Sequence, residues 1–128
     1  MTERRRISSG GPWEARAGYS RALVVGDACH VSGTTDAGTD GRSTHPGDVA
    51  AQAEASLEII AAALAEAGFA IGDVVRTRTY ITDISRSGEF LEVHRRWFGD
   101  VRPAATLVGV SRLIEPSLLV EIEVDAHR

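Results

Sequence analysis

DVAAQAEASLEIIAAALAEAGFAIGDVVRTRTYIT, residues 48–82, carries the two signals that decide the fold. Asp48 follows Pro46–Gly47 and suits a helix N-cap. From there Val49, Ala53, Leu57, Ile60, Leu64 and Ala67 recur at helical spacing, and Gly68 is a natural stop. The alanines between them keep the helix slim enough to lie closely on a sheet. The next apolar run, Val74–Thr82, is rich in β-branched residues and is predicted to be a strand.

Working toward the N-terminus, Arg21–Gly26 (RALVVG) and Ala28–Gly33 (ACHVSG) are two short β-type runs. The Gly26–Asp27 step between them predicts a hairpin. Thr34–Gly47 is almost entirely turn chemistry and is predicted to be a loop. Residues 1–18, with Gly10, Gly11, Pro12 and Gly18 among charged residues, are expected to form an irregular arm. Trp13 within it is expected to cap a core or an interface. Toward the C-terminus, Ser85 opens a second helix through about Phe98, with Phe90, Val93 and Trp97 on one face. Ala104–Val110 and Leu118–Ala126 follow as strands joined by a turn near Glu115–Pro116–Ser117. The order is ββαβαββ: an α+β domain over residues 1–128, with one sheet covered on one face by both helices.

Composition limits the function. The chain has 128 residues, 43% hydrophobic and 25% charged, which excludes a fibrous or disordered protein. No apolar run approaches the ~20 residues of a membrane span, so no membrane partner is expected. Net charge is −4 and the basic clusters are short and interrupted by acids, so no nucleic-acid partner is expected either. A single cysteine, Cys29, cannot form an internal disulfide, which points to a reducing, cytoplasmic setting. Aromatic residues are only 5%, so the chain's own core is modest and oligomerisation would add buried area.

Most chemical motifs are missing. His30, His45, His94 and His127 are scattered without metal-ligand spacing, so no metal is expected. The glycine-rich stretch lacks the Gly-Lys-Ser/Thr ending of a phosphate loop, and no Gly-x-Ser-x-Gly elbow is present. Cys29 is expected to be a buried, inert thiol, and His30 a hydrogen-bonded packing residue. In the last strand Val120, Ile122 and Val124 alternate with Glu121, Glu123 and Asp125, so one side is apolar and the other acidic. Glu121 and Glu123 project to the same face, roughly 7 Å apart at ~3.4 Å per residue. Spacing alone favours an exposed acidic edge over an acid–base site. Whether the polar face meets solvent, a ligand or another subunit stays open at this level.

Four stretches together are more specific: GYSRALVVGDACHVSGTT, DVAAQAEASLEIIAAALAEAG, GDVVRTRTYITDIS and RPAATLVGVSRL with the closing LLVEIEVDA. From about Gly18 to Asp125 the chain resembles the Rid family (YjgF, or L-PSP) of reactive enamine/imine deaminases. The resemblance implies a chorismate-mutase-like fold, assembled as a homotrimer with a central barrel and small-molecule clefts between subunits. It implies no cofactor. It also implies that Tyr19 is the pocket tyrosine, that the backbone of Ser32 and Gly33 faces the ligand, and that Glu121 holds and polarises the attacking water.

One position departs from the pattern. Deaminases of the family carry Arg in a Pro-x-Arg motif after the second helix, where it clamps the substrate carboxylate. Here the segment is Arg102–Pro103–Ala104–Ala105–Thr106, and Ala105 has neither charge nor donor. Two charge-assisted bonds at ~1.5–3 kcal/mol each amount to ~100-fold to 10⁴-fold in recognition of a carboxylate. Leu107 stands where the family often has cysteine, and Leu91 where some members have a polar pocket residue. Arg102 sits at an odd offset from 105 and is expected to point the other way. Arg78 and Arg112 are left unplaced. The sequence therefore leads to a Rid-type hydrolase acting on C–N compounds without the usual carboxylate, or to a non-catalytic trimer binding a small apolar metabolite in the same cleft.

Overall fold

The computed structural model describes residues 3–128. Six strands form one sheet: β1 (Arg4–Ile7), β2 (Ala22–Val25), β3 (Ala28–Thr34), β4 (Val74–Ile81), β5 (Ala104–Gly109) and β6 (Val120–His127). Their spatial order is β1-β2-β3-β6-β4-β5. Every pair is antiparallel except β4 with β5, which run parallel. Among the described residues three α-helices accompany them: α1 (Pro12–Ala17), α2 (Val49–Ala67) and α3 (Ser87–Phe98). No helix among the described residues is long and apolar enough to cross a membrane.

The α+β layout with one sheet is as the sequence predicts, with two differences. The stretch expected to be an irregular arm holds β1 and α1. The side chain of Ile7 is buried in the core, and Arg4–Ile7 pair with Val25–Ala22 of β2, so one apolar anchor and a free sheet edge outweigh three consecutive arginines. The second difference concerns the last two strands, which follow one another in sequence but are not neighbours. β4 lies between them, because β5 returns parallel to β4 by way of α3, the crossover that a parallel pair requires.

The helix α2 is the centre of the core. Asp48 accepts a hydrogen bond from the Ala51 N–H at 2.9 Å, and Gly68, at φ 86°, ends the helix in the left-handed region. Its terminal carbonyls are met by arginines from both ends of the chain: Arg5 Nη2 donates to Ala67 O at 2.9 Å, and Arg128 Nη1 donates to Gly68 O. Such cations also suit the negative end of the helix dipole. Ala53, Leu57, Ile60 and Leu64 are fully buried against the sheet, facing Val120, Ile122 and Val124 of β6. Helix α3 adds Phe90, Val93 and Phe98 to the same core, and Trp97 Nε1 donates to Glu54 on α2 at 2.7 Å.

One buried polar residue organises the loops. Gln52, fully buried on α2, donates through Nε2 to His45 O (3.1 Å) and Ser117 O (3.0 Å), and its Oε1 accepts from the Leu119 N–H (2.8 Å). It thereby ties the loop before α2 to the loop that leads into β6. Asp36, also buried, accepts from the Ser43 and Thr44 hydroxyls and the His45 N–H, which closes the first loop on itself.

Candidate functional site

The face of the sheet opposite the helices is polar, and its side chains are paired diagonally. Tyr80 stands opposite Glu121 in the β4–β6 register, yet its hydroxyl donates to Glu123 at 2.5 Å. Arg78 stands opposite Glu123 and reaches Asp125 at 3.0 Å. His30 Nδ1 lies 2.7 Å from the other Asp125 oxygen. Asp125 loses some solvation, but the bonds from His30 and Arg78 outweigh this and hold its carboxyl below the ordinary range. The Glu123 carboxylate pushes the Tyr80 phenol up.

Glu121 is different. No side-chain hydrogen bond or ion pair engages its carboxyl among the described residues, and burial pushes its pKa up. The charge of Arg21 lowers it and that of Glu123 raises it further. A carboxyl held in this way moves toward the range where it both accepts and returns protons near neutrality.

The place of that carboxyl is set by its neighbour strand. Pairing of β3 with β6 passes from Val31↔Val124 to Thr34↔Ile122, three steps on one strand against two on the other, so Ser32–Gly33 form a bulge beside Glu121. A Cβ built on Gly33 would lie 2.6 Å from Glu121 Oε2. Glycine here is a space requirement: the carboxyl occupies the volume a side chain would need. The bulge is pinned from the two residues that lead into β2. The Ser32 N–H donates to Arg21 O (2.9 Å), and the Ser32 hydroxyl donates to Ser20 O (2.6 Å). Arg21 Nη1 donates to Gly33 O (3.2 Å) and Thr34 Oγ1 (2.9 Å).

These groups line a cleft of about 950 Å³ that contains Tyr19, Arg21, Ser32, Gly33, Glu121 and Glu123. The short α1 supplies one wall with Trp13 and Glu14. Trp13 is 52% exposed, so within one chain it caps no core. Burial opposes ionisation of Glu14, but hydrogen bonds from Ser9, Ser8 and nearby backbone outweigh it and hold the carboxyl low. Ile114 and Leu118 add apolar surface to the lining.

Four of the seven residues singled out from sequence thus meet here: Tyr19, Ser32, Gly33 and Glu121. The other three do not, within one chain. Ala105 and Leu107 pair with Thr77 and Thr79 and so lie on the helix side of the sheet, opposite to Glu121. Ala105 is exposed at the sheet edge, Leu107 packs against the core, and Leu91 is 50% exposed on α3. Of the arginines weighed as substitutes, Arg78 is paired with Asp125, Arg112 lines a neighbouring hollow, and Arg102 is exposed ahead of β5. The arginine that does line the cleft, Arg21, was not among them. A signal for it existed: Ala22 and Val24 face the core, so the alternation places Arg21 with Leu23 and Val25 on the other side. Cys29 is fully buried and its thiol is pushed up by burial, as expected of an inert cysteine.

The sequence model of the family described as Endoribonuclease L-PSP matches residues 11–128. The chain belongs to the YjgF/L-PSP (Rid) family. Among solved structures of this family, Rv2704 from Mycobacterium tuberculosis, a member of the YjgF/YER057c/UK114 group, is 47% identical with a TM-score of 0.89, covering 98% of this chain and 100% of that one. A RutC family protein from Pyrococcus abyssi is 34% identical over 86% of each chain. TdcF of Escherichia coli, named as a candidate reactive intermediate deaminase, is 32% identical over 63% of each chain. Its crystal structure with bound serine superposes with a TM-score of 0.77 at 29% identity, covering 97% of this chain and 94% of that one. The helix-covered sheet described above is therefore the fold of this family.

Proposed function

We propose that this Rid-family chain hydrolyses small imines or enamines that lack the usual α-carboxylate, with Glu121 as the proton-transfer group. The observation that carries this reading is the Glu121 carboxyl, seated on Gly33 without a side-chain partner among the described residues, inside a cleft lined by Tyr19 and Ser32. A water beside Glu121 attacks the C=N carbon while the carboxylate takes one of its protons. The same carboxyl delivers that proton to the nitrogen, giving the neutral carbinolamine, and then relays the hydroxyl proton to the nitrogen as the C=O bond forms. The C–N bond breaks, and a carbonyl compound and ammonia leave. An enamine first takes a proton at carbon to become the imine. Water and one carboxyl suffice, so the reaction calls for no cofactor.

The substrate class follows from charge. Among the described residues, the carboxylates lining the cleft are Glu14, Glu121 and Glu123, against the one guanidinium of Arg21, whose Nη1 is already engaged by Gly33 and Thr34. With Ala105 in place of arginine, a substrate carboxylate meets net repulsion and no free clamp. The same balance disfavours the phosphate backbone of RNA, whatever the family description says.

The assembly we propose is a homotrimer of chorismate-mutase-like subunits around a central barrel. Its support is the separation just described: Ala105, Leu107 and Leu91 lie away from Glu121 in one chain, and a cleft shared between subunits would set one chain's β5 against its neighbour's Glu121. Exposed Trp13, Tyr19 and Val108 are apolar surface that such contacts would cover. The loss of the arginine also favours a second reading, a non-catalytic trimer that binds a small metabolite in the same cleft.

The test compares ammonia release, above the spontaneous rate, from imines made in situ by an amine oxidase and by an amino-acid oxidase. Acceleration of the carboxylate-free imines, with amino-acid imines gaining only in Ala105→Arg, supports the proposal. Faster turnover of amino-acid imines by the wild type contradicts the substrate class. No acceleration of either, alongside a thermal shift on adding apolar amines or ketones, supports the binding reading.

A further inference from the structure

We propose that Arg21 is the positioning residue of this site: its guanidinium braces the Ser32–Gly33 bulge on which the Glu121 carboxyl rests and places a positive charge beside that carboxyl. The inference rests on the reading of Glu121 as the proton-transfer group.

The geometry gives Arg21 two jobs. The first is mechanical. Arg21 is only 8% exposed, unusual for an arginine, and its Nη1 bridges Gly33 O and Thr34 Oγ1, the last two residues of β3. Thr34 Oγ1 in turn donates to Ser32 O at 2.8 Å, so one cation gathers both residues of the bulge and the paired Thr34 that follows it. The backbone carbonyl of Arg21 also accepts the Ser32 N–H. A β-bulge leaves its extra residue unpaired in the ladder, and here a side chain provides what the ladder cannot. Because Glu121 Oε2 sits where a Gly33 Cβ would be, any shift of this bulge moves the floor under the carboxyl.

The second job is electrostatic, and it depends on what else surrounds Glu121. From β6 come Glu123 and Asp125, from β4 Tyr80 and Arg78, from β3 His30 and Ser32, and from the N-terminal segment Glu14 and Tyr19. Arg78 and His30 are both tied to Asp125 and are balanced by it. Glu123, held by the Tyr80 hydroxyl, remains as a negative neighbour on the same face. That leaves Arg21 as the cation among the described cleft-lining residues that opposes Glu123 across Glu121. The guanidinium carbon lies 5.7 Å from the centroid of the Tyr19 ring, and the group is largely shielded from water, which strengthens its field. Nε is buried without an acceptor, so the guanidinium is held through Nη1.

The test follows the Glu121 carboxyl by carbon NMR through a pH titration, which needs no turnover and so succeeds or fails independently of the proposed reaction. In Arg21→Gln, the Glu121 titration is expected to move to higher pH, and Arg21→Lys is expected to bring it back toward the wild type. A residue with only a structural role would lower Tm in both variants and leave the titration in place. An unmoved titration in folded Arg21→Gln overturns the proposal. If Arg21→Gln does not fold, Thr34→Val serves instead. It keeps the charge but removes one of the two acceptors of Nη1 and the Thr34 hydroxyl bond to Ser32 O, so the guanidinium is held by Gly33 O alone, the bulge loosens beneath the carboxyl, and the Glu121 titration is expected to rise. An unchanged titration there overturns the proposal equally.

Discussion

The two faces of β6 are built from the same eight residues and do opposite things. Toward the helices, Val120, Ile122, Val124 and Ala126 are all but fully buried and interchangeable in kind: each is held by contact with α2, α3 or the neighbouring strands. Toward the other side, Glu121, Glu123 and Asp125 are half-buried and each has a distinct position. Asp125 is neutralised by Arg78 and His30, and Glu123 is held by Tyr80. Glu121 alone is left without a side-chain partner among the described residues, over a glycine. One face confers stability by area, and the other sets up three different carboxyls by arranging their neighbours.

Substitutions can break that comparison on either side. The largest effect on stability is expected at Ile122, fully buried in the centre of the apolar face: Ile122→Ala should cost about 3–4 kcal/mol, roughly 10–15 °C in Tm by thermal unfolding. Glu123→Ala, its neighbour on the polar face, should cost far less and release the Tyr80 phenol to titrate at lower pH, read by ultraviolet absorbance. Next is Gln52→Ala, which strands the Ser117 carbonyl and the Leu119 N–H and leaves His45 O with the Asp48 N–H alone. A loss of about 2–3 kcal/mol is expected, with faster amide hydrogen exchange at Leu119.

A smaller stability effect but a larger functional one is expected at Gly33. The atoms that a Cβ would meet belong to the flexible end of Glu121, so Gly33→Ala should still fold. The carboxyl, however, must swing aside, and turnover of a carboxylate-free imine should fall roughly 10- to 100-fold. Wild-type turnover in that variant would show that the bulge does not position Glu121.

The smallest effect sharpens the contrast between the carboxyls. The folded-state pKa of Glu121 is raised, so the folded chain holds this proton more tightly than the unfolded chain does. Stability from this group is therefore lost as pH rises from the ordinary carboxylate value through the raised one. Glu121→Gln removes the penalty. Its Tm relative to wild type should be higher at pH 8 than at pH 4. Asp125, whose pKa is lowered, should show the reverse in Asp125→Asn, with the larger loss above the ordinary carboxylate range.

The sequence alone displays much of this asymmetry. Both ends of α2 are legible, because Asp48 and Gly68 are capping residues with a direct structural cause, and the alternation in β6 announces an apolar and an acidic side. Strand order is less legible. Nothing local distinguishes β5 as a partner of β4 rather than β6, since that choice is made by the packing of α3 between them. The N-terminal strand is hidden by Arg4, Arg5 and Arg6, which mark an edge strand as readily as an arm. Glu121, Ser32, Gly33 and Tyr19 are reached through the family resemblance, whereas spacing by itself favours an exposed acidic edge. Arg21 escapes because a charged residue at the start of a strand gives no sign that it will be buried beneath a tyrosine. Ala105, Leu107 and Leu91 lie away from Glu121 within one chain, and the roles proposed for them would need a second chain, which no pattern within one chain contains.

The central claim is that Glu121 transfers protons in this cleft, and its most direct test is ammonia release from a carboxylate-free imine by the wild type beside Glu121→Gln. Acceleration over the spontaneous rate is expected from the wild type, falling by about 10²–10⁴-fold in the variant. Equal acceleration by both proteins would contradict the account.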